Sequence, residues 1–177
     1  MGGHIAFEVL RQNPEKVMGL FLCNTSADVE SEAGKQKRLE FAKAPHSVGE
    51  FQGVTRSEWP RFVGNKDATN SEMLESTQQM ARKLGLRRAQ QQAFALANRP
   101  SSHQTLTQAA TNKLPISVCL GIQDQIVLSS ASEAMALSAG VEDSDIERLD
   151  TGHLGPWEDT VGVAKALTKL VRQSVLS

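Results

Sequence analysis

Two short stretches join a titratable side chain to loop-forming residues: Gly121-Ile122-Gln123-Asp124 and Asp150-Thr151-Gly152-His153-Leu154. A histidine works as a general base near neutral pH when a carboxylate fixes its tautomer and stabilises the imidazolium that forms. Asp124 and His153 can make such a pair, because each follows an apolar run that reads as a strand. Ligands of open parallel sheets bind beyond the carboxyl ends of the strands, where both loops would lie. Taken singly, each residue has ordinary uses: an aspartate caps a turn, and a Gly-His pair sits in solvent. It is their order after consecutive strands that raises them above those uses. Asp150 competes for His153, but on the same loop it is better placed to order that loop. Ser26, Ser129 and Ser130 are alternative nucleophiles, yet none stands on a strand-to-helix Gly-x-Ser-x-Gly turn, and capping or turn roles suit them better. His4 falls on a helix, where a surface or supporting role is the default. His46 and His103 have no carboxylate or cysteine at ligand spacing, which argues against a metal.

The elements that must position this pair are legible as alternating helices and strands. Ile5, Ala6, Val9 and Leu10 recur at helical spacing from Gly3 to Gln12, and Asn13-Pro14 stops the pattern. Val17 to Cys23 is a nearly unbroken apolar run, the signature of a strand buried on both faces. A long polar stretch follows. It contains a weak helix candidate over Ser31 to Lys43 and an irregular segment from Pro45 to Asn70. Two helical stripes come next, Met73-Leu74-Thr77-Ala81-Leu84 and Leu86-Ala89-Ala93-Phe94-Ala97. Ile116 to Leu120 predicts a second buried strand, and Ser130 to Glu133 has capping-box spacing for a helix through about Ala139. Ile146 to Leu149 is a third strand, and a last helix from Val161 to Ser174 carries the stripe Val163, Ala164, Leu167, Leu170 and Val171. The expected architecture is α/β: three parallel strands with flanking helices and a mostly helical insertion.

Composition narrows the function. With 177 residues the chain suits one globular core, and 19 basic against 20 acidic residues leave a net charge of -1. No broad field would draw it to nucleic acid or an anionic membrane, so a small-molecule substrate is the expected partner. Cys23 and Cys119 each sit in an apolar run and read as buried thiols, not as a disulfide framework or a metal site. No apolar stretch reaches the roughly 18 residues a membrane helix needs, and a signal-peptide pattern is absent. The expectation is a cytoplasmic protein without membrane contact.

The string Met1-Gly2-Gly3-His4-Ile5-Ala6-Phe7-Glu8-Val9-Leu10-Arg11, followed by Pro14-Glu15-Lys16-Val17, resembles the segment after the nucleophile serine of α/β-hydrolases. In that family the Gly-x-Ser-x-Gly elbow is commonly continued as Ser-Met-Gly-Gly, then a helix, then a strand. The remaining motifs occur in the family's order. Leu22-Cys23-Asn24-Thr25-Ser26-Ala27 resembles the end of the strand before the helical cap. Gln91-Gln92-Ala93 through Arg99-Pro100 and Ser102 resembles the last cap helix and its exit. Leu120 to Asp124 is similar to the loop bearing the triad acid, and Gly152-His153-Leu154 with Glu158 to the loop bearing the triad histidine.

This resemblance, which covers essentially the whole chain, implies a partial α/β-hydrolase fold in three parts. Residues 1–29 would hold the helix and strand that follow the nucleophile elbow, 30–112 the helical cap, and 113–177 the C-terminal core with the acid and histidine loops. It implies Asp124 and His153 as catalytic residues, Gly2 and Gly3 as elbow glycines, and the backbone N–H of Met1 as an oxyanion donor. No cofactor and no metal are implied. Some family members place the acid after the earlier strand, where this chain offers Asn24 and, slightly later, Asp28. Trp59, Phe62 and Phe94 are candidates for lining an acyl pocket, with packing among cap helices as the competing use.

On this match the serine would stand immediately before Met1. The implied activity is Ser-His-Asp hydrolysis of an ester, lactone or related small-molecule bond, with the 177-residue polypeptide inactive by itself. The strand from Val17 would then present an unpaired apolar edge, open to aggregation or homo-oligomer formation. The alternative is a non-catalytic interaction or regulatory protein derived from a hydrolase.

Overall fold

The computed structural model describes residues 1–45 and 51–176; His46 lies outside the described residues. Eight helices and three strands alternate among them. Helix α1 (Gly2–Gln12) leads through a 3₁₀ turn at Pro14–Lys16 into strand β1 (Leu20–Cys23). The polar stretch forms α2 (Glu32–Lys43), α3 (Ser71–Leu84) and α4 (Leu86–Ala97), and α5 (His103–Thr111) leads back to the sheet. Strand β2 (Ile116–Gly121), α6 (Ser129–Ser138), β3 (Glu147–Leu149), a short α7 (Gly155–Glu158) and α8 (Thr160–Leu176) complete the order.

The strands are parallel in the order β1-β2-β3, with Leu20 opposite Ile116, Cys23 opposite Cys119, and Gly121 opposite Leu149. Parallel neighbours need crossovers, and the helices supply them on both faces. Leu20 and Leu22 point to one face and pack with Phe7, Leu10, Leu106, Val118, Leu120 and Met135 from α1, α5, β2 and α6. The other face joins Cys119 and Leu149 to Val163 and Ala166 of α8, with Phe21 and Cys23 partly buried against them. Helix α5 thus belongs by packing to the sheet, although it falls within the stretch 30–112. A separate small core of Trp59, Val63, Met73 and Leu74 holds the segment around α3 together. β1 pairs with β2 on one side and has no strand on its other side among the described residues.

Several expectations need correction. Strand β1 starts at Leu20, not Val17, because the turn at Pro14–Lys16 leaves Met18 84% exposed and the first ladder bond runs from Leu20 N–H to the Pro115 carbonyl. The capping box at Ser130 does not form. Helix α6 starts at Ser129 behind Leu128 with no side-chain cap, and Glu133 instead pairs with Arg148. The buried face of α6 is Ser132, Met135 and Ala136, and the Ser132 hydroxyl donates to the Thr25 carbonyl at 2.9 Å. In α8 the inward stripe is Val163, Ala166 and Leu170, with Leu167 and Val171 outside. In α4 the sequence stripe includes Phe94, which is exposed, and omits Gln90, which is buried and donates to the carbonyls of Phe41 and Ala44. A glutamine anchoring one helix to another breaks the apolar period without breaking the helix.

Thr151, buried where β3 ends, has a hydroxyl with no hydrogen-bond partner among the described residues. An unmade bond of this kind costs the fold, whereas an apolar group of the same shape does not. Thr151→Val is therefore expected to leave the thermal unfolding midpoint unchanged or raise it, while Leu106→Ala, which empties a fully buried site, costs about 2–5 kcal/mol. A loss above about 1.5 kcal/mol in Thr151→Val would mean the hydroxyl has a partner.

Candidate active site

The end of β2 brings Gly121 against the loop that follows β3. The Ile122 and Gln123 N–H groups donate to the carbonyls of Leu149 and Thr151 at 2.9 and 3.0 Å, so the two loops are stitched backbone to backbone. A Cβ on Gly121 would collide with the Gly152 and Thr151 carbonyl oxygens, and one on Gly152 would collide with the backbone of Val63. Only glycine permits these approaches. They set the separation of the two titratable side chains: Asp124 Oδ2 lies 2.8 Å from His153 Nδ1.

Asp124 is buried and fully engaged. Its Oδ1 accepts from the N–H groups of Ile126 and Val127 at 2.7 and 2.9 Å, and its Oδ2 from the Asn24 amide at 3.0 Å as well as from His153. Burial pushes the carboxyl upward, but the hydrogen bond and charge of His153, together with the two backbone N–H groups, outweigh it and hold the group below the usual carboxylate range. A carboxylate so held only accepts, which places the shared proton on His153 Nδ1 and leaves Nε2 as the acceptor nitrogen.

The histidine loop is held from three directions. His153 and Leu154 N–H groups donate to the Phe62 carbonyl at 2.8 and 3.2 Å, and the Phe62 ring stands edge-on to the imidazole at 6.4 Å. Glu158, on α7, accepts from Gly152 N–H at 3.0 Å and from Gly64 N–H at 2.6 Å, tying the loop to the segment before α3. Asn24, in the left-handed region at φ 49°, donates to the Gly152 carbonyl at 2.6 Å as well as to Asp124. Asparagine tolerates that conformation better than most residues.

These elements border a cleft of about 690 Å³ lined by Met1, Gly2, Gly3, Asn24 and His153, so the amino end of α1 and the imidazole share one space. Asp150 is not the partner of His153; it takes a hydrogen bond from Gln123, whose Oε1 accepts from Asn65 N–H at 2.7 Å. Trp59 and Phe94 do not reach the cleft. Trp59 is buried in the small core with its indole N–H on the Asp67 carbonyl, and Phe94 is exposed on α4. Phe62 touches His153 from outside the cleft lining. His103 does have a carboxylate, Asp28, at 2.9 Å, with Ser138 on its other nitrogen, yet no group of three or more metal-ligating side chains occurs among the described residues. Cys23 and Cys119 carry free thiols. No helix among the described residues is long and apolar enough to cross a membrane.

Asn24 and Glu158, which the sequence offers only at the alternative acid position and within the histidine loop, are positioning residues, and Asn24 makes bonds that alanine cannot. Asn24→Ala is expected to cost about 1–3 kcal/mol by chemical unfolding, since it leaves two buried acceptors short of a donor. A change within about 0.3 kcal/mol would contradict the geometry. The depressed Asp124 pKa has a defined sign. Its contribution to stability is complete above the unfolded value of about 3.9 and is lost as pH falls through the lower folded value. The stability gap between the parent chain and Asp124→Asn should accordingly narrow as pH falls from about 5 to 2.5, and a gap independent of pH would be inconsistent with it.

No protein-family model and no curated protein matches the sequence. Solved structures do match. An esterase from Thermogutta terrifontis is 29% identical with a TM-score of 0.82, over 98% of this chain and 62% of that one. An enol-lactonase from Burkholderia xenovorans is 18% identical with a TM-score of 0.71, over 100% of this chain and 63% of that one. A hydrolase from Pseudomonas aeruginosa is 19% identical with a TM-score of 0.75, over 96% of this chain and 61% of that one. The chain thus spans somewhat over three-fifths of the length of these proteins. The parallel sheet, its flanking helices and these likenesses over nearly the full chain show that it carries part of the α/β-hydrolase fold.

Proposed function

We propose that this chain supplies the acid and the base of a Ser-His-Asp hydrolase acting on an ester, lactone or related bond of a small molecule. The observation that carries the reading is the Asp124–His153 hydrogen bond on the cleft at the amino end of α1. The names of the similar esterase and enol-lactonase support the choice of bond.

In this reading the serine is the residue that the family's elbow places before Met1. Its Oγ attacks the carbonyl carbon while His153 Nε2 takes the hydroxyl proton, and Asp124 stabilises the imidazolium. The charge that develops on the carbonyl oxygen meets the backbone N–H of Met1, at the start of α1, where the helix dipole also favours it. Nε2 then returns the proton to the leaving oxygen, and water activated by the same nitrogen releases the acid. None of these steps calls on a cofactor. The 177 residues hold no serine on a Gly-x-Ser-x-Gly turn, so the polypeptide by itself is expected to show no ester turnover.

The test is p-nitrophenyl butyrate hydrolysis by the product of the gene expressed with its upstream codons, alongside His153→Ala and Asp124→Ala. Each substitution is expected to lower kcat by about 10³-fold or more, as loss of a triad member does. Unchanged kcat in both variants would end the assignment, and turnover by the 177-residue polypeptide would remove the serine from the mechanism.

A further inference from the structure

The wall of the cleft on the α2 side carries two arginines, Arg38 of α2 and Arg99 just after α4. Glu30, at the same wall, puts its Oε2 on both: Arg38 Nε at 2.5 Å and Arg99 Nη1 at 2.7 Å. Arg99 further donates from Nε to the Asp28 carbonyl and from Nη1 to the Leu96 carbonyl, which fixes its guanidinium plane with only 13% of the side chain exposed. Both nitrogens Nη of Arg38 and Nη2 of Arg99 have no hydrogen-bond partner among the described residues.

Two guanidiniums face one carboxylate, Glu30, which burial pushes upward but the hydrogen bonds and charges of the arginines hold below the usual range, so it stays ionised. Asp28, the other acid lining the cleft, is engaged with His103. His4 adds no positive charge. Burial first, then the charges of Arg99, the terminal amine and Arg38, push its pKa down to about 4. The two guanidiniums present planar donor forks suited to a carboxylate. The cleft lining also includes the apolar side chains of Val127, Leu128, Leu154 and Trp157.

We propose that Arg38 and Arg99 form an anion-recognition edge of this cleft, and that its substrate is an ester or lactone that also carries a carboxylate. This rests on the hydrolase reading of the cleft and adds the substrate class. Anchoring α2 to the exit of α4 uses the bonds to Glu30 and leaves the Arg38 Nη groups and Arg99 Nη2 without a protein partner among the described residues. The carboxylate of the substrate would take those donors, its apolar chain would lie along Val127 and Leu128, and its carbonyl would reach His153.

The test titrates the 177-residue polypeptide with monomethyl glutarate and, separately, with the uncharged dimethyl glutarate, following the His153 imidazole signals by NMR. Both esters are expected to shift those signals, the anionic one with about tenfold tighter binding at low salt. The preference should fade as salt screens it, and Arg38→Met should reduce it to about threefold or less with an unchanged thermal midpoint, Arg38 being partly exposed. Arg99→Lys serves as the second variant, since it keeps the charge while removing the fork, and it too should weaken the preference. Equal affinity for the two esters, or a preference that survives in both variants, overturns the anion edge while leaving the hydrolase reading intact. No His153 response to either ester overturns it through the reading on which it rests.

Discussion

Everything at the cleft depends on keeping one carboxylate ionised out of water. Burial disfavours the charge on Asp124, and the fold answers with four donors: two backbone N–H groups of its own loop, the Asn24 amide and the His153 imidazole. Because those donors come from three separate stretches of chain, the ends of β1 and β2 and the loop after β3 are drawn to one point. The loop geometry, the histidine tautomer and the accessibility of Nε2 all follow from that convergence.

The close approach has its own requirement in the backbone. Gly121 and Gly152 stand where a side chain would push the acid loop off the histidine loop, or the histidine loop off Val63. Glu158 and Phe62 then hold the histidine loop against the segment before α3, so the residues between α2 and α3 bear on the site through main-chain bonds. For the proposed catalysis such geometry tolerates little slack, since a misplacement of about 1 Å can cost two orders of magnitude in rate. Arg38 and Arg99 line the same cleft as apolar Val127 and Leu128, the mixture of polar and apolar groups by which small-molecule sites orient their ligands.

Much of this arrangement was legible in the residues themselves. Unbroken apolar runs mark β1 and β2 because parallel strands are covered on both faces, and the loops after β2 and β3 announce Asp124 and His153 by position. Side-chain anchoring was not legible. Nothing in the helical period marks Gln90 as the anchor of α4 to α2, nothing marks Asn24 as a donor to Asp124 until the two are placed together, and Phe94 follows the helical period yet faces out. Asp150 competes with Asp124 for His153 in one dimension but is better placed to order its own loop, and the stitching of the two loops gives it to Gln123. Trp59 illustrates the same limit, since an aromatic residue in a cap serves a local core as readily as a pocket.

The central claim is the orientation of the imidazole, with Nδ1 protonated toward Asp124 and Nε2 free toward the cleft. Nitrogen-15 NMR of the His153 side chain at neutral pH reads this directly. The account predicts a pyrrole-type Nδ1 whose proton is shifted far downfield and a pyridine-type Nε2, with that downfield proton lost in Asp124→Asn. A protonated Nε2 with an unprotonated Nδ1, or a pattern identical in the two proteins, would contradict it.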